Sequence, residues 1–63
     1  MIEVTYLNGK KILLNAELIE RVEETPDTVI TLTSRKKIIV RESWQEIRDL
    51  VISYKKKIFS VDL

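Results

Sequence analysis

The apolar residues of this 63-residue chain change their period once, just after Val40, and that switch limits what the chain can fold into. Up to Val40 they fall in short runs rich in β-branched residues. Beyond Ser43 they recur every three or four positions, so the pattern predicts strands first and a helix last. In Ile2-Glu3-Val4-Thr5-Tyr6 alternate residues are apolar, as on a half-buried strand. Asn8-Gly9 follows, a pair suited to a two-residue type I′ turn in which both residues take positive φ. Lys10-Lys11-Ile12-Leu13-Leu14 returns as a second strand. Asn15-Ala16-Glu17 reads as a turn or a single helical turn, capped by the Asn15 side chain.

Leu18 to Glu24 predicts a third strand with Leu18, Glu20 and Val22 on one face and Ile19, Arg21 and Glu23 on the other. Helix competes there, because Glu, Leu and Arg are good helix formers. Pro26 and the strand-like Thr28-Val29-Ile30-Thr31-Leu32-Thr33 decide for strand. Thr25-Pro26-Asp27-Thr28 places proline at the second position of a type I turn. Ser34-Arg35 then connects to a fifth strand, Lys36 to Val40.

Ser43-Trp44-Gln45-Glu46 matches a capping box. Trp44, Ile47, Leu50, Val51, Tyr54 and Ile58 form one apolar stripe on the helix that follows, and Lys55-Lys56-Lys57 complement its C-terminal dipole. The expected fold is mainly β with one C-terminal helix (α+β), in the order β-β-β-β-β-α. It is a small five-stranded antiparallel sheet or an SH3-like, partly closed barrel, since curling removes exposed edges. Residues 1–57 would form the single domain, with the capping helix over about 43–57 and a tail over 58–63. Phe59, Val61 and Leu63 alternate in that tail, as in a segment suited to adding to a sheet edge.

Composition narrows the chemistry. The chain has no cysteine and no histidine, so disulfides, thiolate metal sites and the usual general base are all missing. Gly9 is the only glycine, which leaves no phosphate-cradling loop, and the serines have no histidine to activate them. Glu20, Glu23, Glu24 and Asp27 cluster around the second hairpin, but consecutive carboxylates there alternate faces and read as a solvated edge. The sequence therefore points away from an enzyme, and no catalytic, metal or cofactor-binding residue is expected. Eleven basic against ten acidic residues leave a net charge of +1, a weak footprint for nucleic acid. No apolar run is long enough to span a membrane, and the N-terminus lacks the pattern of a signal peptide. The expectation is a cytoplasmic domain without membrane insertion.

Asn15-Ala16-Glu17-Leu18-Ile19 and Glu23-Glu24-Thr25-Pro26-Asp27-Thr28-Val29-Ile30, with Met1 to Thr5, Leu7-Asn8-Gly9-Lys10 and Val40-x-Glu42-Ser43, resemble the small FlbD/SwrD family of flagellar and swarming motility proteins. The resemblance implies a non-enzymatic cytoplasmic factor supporting motility, through protein contact at or near the stator of the flagellar motor. It also implies recruitment to the inner face of the membrane through the motor. The motif residues it singles out are Asn15, Glu23, Pro26, Asp27 and Thr28, expected mainly to cap a turn and set the second hairpin. Family members usually carry Asn-Gly or a similar pair at the connection where this chain has Ser34-Arg35. That departure leaves the turn type open, not the hairpin.

Two features of the residues also point to protein partners. Lys10 to Leu14 and Lys37 to Val40 are apolar at consecutive positions, so some side chains must point away from the core. The tail residues Phe59, Val61 and Leu63 are candidates for contact with a partner or a second copy, and a homo-oligomer is compatible with either feature. The alternative is a small nucleic-acid-binding barrel regulating motility genes. It requires Lys10-Lys11, Arg35-Lys36-Lys37-x-x-x-Arg41 and Lys55-Lys56-Lys57 to converge on one face.

Overall fold

The computed structural model describes residues 1–59. Five antiparallel strands precede one helix. These are β1 (Ile2–Thr5), β2 (Lys11–Leu14), β3 (Ile19–Glu24), β4 (Thr28–Leu32), β5 (Lys37–Val40) and α1 (Trp44–Phe59), with a single 3-10 turn at Ala16–Leu18 between β2 and β3. The strands form a two-stranded sheet, β1-β2, and a three-stranded sheet, β3-β4-β5. A bridge between Tyr6 and Val40 and a 2.8 Å bond from the Arg41 amide to the Thr5 carbonyl join the two at one end. The described strands do not close into a barrel.

Period-two alternation decides which residues turn inward. Ile2 and Val4 face Leu14 and Ile12 across the first pair, while Glu3 and Thr5 face Leu13 and Lys11 on the outside. In the second sheet Val22, Ile30 and Ile38 lie in register on the core side, and Arg21, Thr31 and Lys37 in register on the other. The core is Ile2, Val4, Leu14, Ala16, Ile30, Ile38, Val40 and Ile47, with α1 supplying only Ile47 at full burial. So small a core leaves a narrow stability margin. The consecutive apolar positions do send side chains outward, with Leu13 and Ile39 both exposed.

Four local expectations are revised. The first hairpin has a three-residue loop. The Gly9 amide donates to the Tyr6 carbonyl (2.9 Å), the Tyr6 amide to the Lys10 carbonyl (2.8 Å), and only Gly9 takes positive φ, at 92°. This is a type I turn followed by a left-handed residue, not a type I′ turn. In β3 the pairing shifts between Ile19 and Arg21, so Ile19 and Val22 both pack against the core. The bulge breaks the alternation expected from Leu18 onward, and Leu18 sits in the 3-10 turn, exposed. The Thr25–Pro26 peptide is cis, unlike the expected type I turn.

The fourth revision concerns the helix. It includes Ile58 and Phe59, which the sequence had placed in the tail; Val61 and Leu63 lie outside the described residues. Its capping box is present: Ser43 Oγ accepts from the Glu46 amide (3.1 Å) and Glu46 Oε1 accepts from the Ser43 amide (2.8 Å). Only part of the expected stripe is covered. Leu50, Val51 and Tyr54 are half-buried, whereas Trp44 and Ile58 are 42% and 41% exposed.

Candidate functional site

Two places around the motif and the helix gather residues beyond what the core requires. The first lies where the second hairpin, the first loop and the start of α1 meet. Glu24, Pro26, Asp27 and Thr28 of the hairpin line a hollow of about 330 Å³ together with Leu7, Val40 and Arg41. Arg41 holds the first loop in place, its Nε and Nη2 donating to the Leu7 carbonyl at 3.0 and 2.7 Å. Both bonds carry a cation's charge and are correspondingly strong. Glu24, at the end of β3, accepts from the Trp44 amide at 2.9 Å and so ties the second hairpin to the first turn of the helix, where a carboxylate is favoured.

Beside this hollow, Glu42 fastens β1. Its Oε1 accepts from the Thr5 amide at 2.9 Å and its Oε2 from the Thr5 hydroxyl at 2.8 Å. Partial burial works against the charged carboxylate. The Thr5 amide and hydroxyl, its own backbone amide and the Lys11 charge together outweigh that, and the pKa falls below the ordinary value.

The sequence motif is thus partly brought together. Pro26, Asp27 and Thr28 share the hollow, although Thr28 is buried and Pro26 and Asp27 are exposed. Asn15 lies at the 3-10 turn and caps it as expected, its Oδ1 accepting from the Glu17 amide at 3.0 Å. Glu23 is exposed on β3, 3.9 Å from Arg21. Phe59 ends the described helix. Leu7 and Arg41 meet this turn only through tertiary geometry, whereas Glu24 stands in the same stretch and pairs with Thr28 across the hairpin. The long basic run is also divided: Arg35-Lys36-Lys37 and Arg41 lie at opposite ends of β5.

The second place is an apolar groove of about 320 Å³ running between β3 and α1. Ile19 and Val22 line it from the strand, and Trp44, Ile47, Val51 and Ile52 from the helix. Trp44 and Ile52 are 42% and 46% exposed at its rim, and the Arg48 guanidinium stacks 5.3 Å from the centroid of the Trp44 ring. β3 pairs with β4 alone among the described strands, so its other edge adjoins this groove unpaired. Ile52 falls outside the stripe read from the sequence. The surplus of apolar residues over one stripe was the only signal available for it.

Compared with known protein families, residues 1–59 match FlbD, described as flagellar and swarming motility proteins. No curated protein and no solved structure matches the chain. The match covers every strand, the hairpin motif and the helix, and the chain belongs to the FlbD family of flagellar and swarming motility proteins.

Proposed function

We propose that this protein supports motility without catalysis, as a cytoplasmic factor that binds a protein of the flagellar motor at or near the stator. The observation that carries this reading is the groove between β3 and α1. A domain with few fully buried apolar residues leaves Trp44 and Ile52 at the rim of an apolar channel beside an unpaired strand edge. Such a surface suits an apolar, strand-like segment of a partner, with backbone bonds giving affinity and the groove giving side-chain selectivity. The exposed Pro26-Asp27 rim of the second hairpin is the polar part of the same proposal, while Asn15 and buried Thr28 act through the fold. The division of the basic run between the two ends of β5 supports protein contact over nucleic-acid binding.

Crosslinking and recovery of the tagged full-length protein from motile cells, with and without nuclease, tests this. The expected result is recovery of motor or stator components in both arms, reduced in Ile52→Glu and in Asp27→Ala variants that fold normally. Loss of the partners on nuclease treatment, with nucleic acid recovered in the untreated arm, would replace this reading with the nucleic-acid one.

A further inference from the structure

The face of the three-stranded sheet turned away from the core carries a separate cluster. Arg21, Thr31 and Lys37 lie directly across from one another on β3, β4 and β5. Together with Arg35, Glu20 and Glu23 they line a hollow of about 250 Å³. Thr31 is 6% exposed, and its hydroxyl has no hydrogen-bond partner among the described residues. A buried hydroxyl without a partner is costly, and in a native structure it asks for an explanation. Arg35 adds a second irregularity. It takes a left-handed φ of 77°, the position its hairpin loop would fill best with glycine, and it brings a guanidinium to this hollow.

We propose that this hollow is a binding site for a phosphate group, held by Arg21, Arg35 and Lys37, with the Thr31 hydroxyl, closed to solvent in the free protein, becoming an inner donor when the Arg21 side chain turns to the ligand. Arg21, Thr31 and Lys37 come from three neighbouring strands and Arg35 from the loop before β5, so two guanidinium groups, one ammonium and one hydroxyl belong to the residues around one hollow. That set matches the several oxygens of a tetrahedral anion better than the two coplanar oxygens of a carboxylate. The Arg21–Glu23 pair at 3.9 Å is solvent-exposed on both sides, so releasing Arg21 to a ligand costs little. Glu20 and Glu23 limit the net charge of the hollow to three cations against two carboxylates. Binding is therefore of short range and modest strength, on the order of millimolar for inorganic phosphate. Glu20 and Arg21 also border the apolar groove, so the two places adjoin across β3, but Thr31, Arg35 and Lys37 belong to this hollow and not to the groove.

The test is a backbone-amide NMR titration of the full chain with inorganic phosphate. Parallel arms use acetate, and vesicles of phosphatidylglycerol or of phosphatidylcholine. Phosphate is expected to produce saturating shifts centred on Thr31, Arg35 and Lys37, at concentrations where acetate does not. Thr31→Val should weaken binding by about tenfold while raising Tm by about 5 °C, because it removes the orphaned hydroxyl. Thr31→Ser should keep the affinity. Thr31-dependent binding to phosphatidylglycerol vesicles assigns the phosphate to a lipid headgroup; binding of inorganic phosphate with no vesicle binding assigns it to a soluble compound. Equal affinity for acetate, unsaturable shifts spread over all lysines, or unchanged binding by a folded Thr31→Val protein overturns the site.

Discussion

The first and third hairpin loops of this molecule are the same turn built from different residues. In Leu7-Asn8-Gly9 the third residue donates its amide to the Tyr6 carbonyl (2.9 Å), and in Thr33-Ser34-Arg35 the third residue donates to the Leu32 carbonyl (2.8 Å). Each is closed by a 2.8 Å bond to the carbonyl of the next residue, Tyr6 to Lys10 and Leu32 to Lys36. In each the middle side chain accepts the amide two residues on, at 2.9 Å for Asn8 and 3.5 Å for Ser34. Both third residues are left-handed, Gly9 at 92° and Arg35 at 77°. The first loop has the residues such a turn favours and is clamped by Arg41; the second has a strained arginine and a stretched serine contact. One loop is fitted for stability, while the other gives up stability and delivers a guanidinium to the hollow over Thr31.

The largest effect should come from breaking the well-fitted loop. Gly9→Ala forces a Cβ into left-handed backbone and is expected to destabilise the fold by about 1–2 kcal/mol in urea titrations. Steric crowding is not the cause, since the nearest atom that Cβ would meet is Arg41 Nη2 at 3.7 Å. Glu42→Gln, at the same end of the sheet, should cost about 1 kcal/mol at neutral pH by weakening the two bonds from Thr5. The pH dependence follows from the direction of the pKa shift. The folded value lies below the ordinary 4.5, so Glu42 contributes its stability above about pH 4.5 and loses it as pH falls through the folded value. Denaturation curves of the two proteins should therefore converge in acid.

The opposite sign is expected at the other loop. Arg35→Gly should stabilise by roughly 0.5–1 kcal/mol, the relief of left-handed strain less the extra entropy glycine gives the unfolded chain. A destabilising Arg35→Gly would show that the two loops are not energetically equivalent turns. Ser34→Asn, which copies Asn8, should add roughly 0.5 kcal/mol or less, read as a small rise in the urea midpoint.

These loops also show how far the sequence could be read. Asn8-Gly9 announced a hairpin, and the period switch placed all five strands and the helix in order. Ser43 and Glu46 marked the start of the helix through a capping box, whose residues act on each other locally. The Asn-Gly pair does not decide the type of the first turn, because a three-residue loop with one left-handed residue and a two-residue loop with two carry the same pair. Arg35 gave no local signal, since nothing in its own chemistry asks for left-handed backbone. The bulge at β3 was hidden for a related reason: one extra residue puts Ile19 and Val22 on the same side, where alternation had separated them.

The candidate sites were less legible than the fold. Asn15, Glu24 and the Pro26-Asp27-Thr28 turn stand in the motif stretches, but Leu7 and Arg41 meet that turn only through contacts across the chain. Trp44 read as core because it stands on the helical stripe. It is exposed because the sheet covers only part of the helix face that the stripe spans. The same shortfall of cover exposes Ile52 and creates the groove.

The central claim, that this groove meets a protein of the motor, is tested most directly by the swarm expansion rate of cells whose only copy carries Ile52→Glu. The residue is 46% exposed, so the variant should keep its Tm within a few degrees and accumulate normally. Contact through the groove predicts a large loss of swarming with an intact fold. A folded, normally accumulated Ile52→Glu protein that restores full swarming would contradict it.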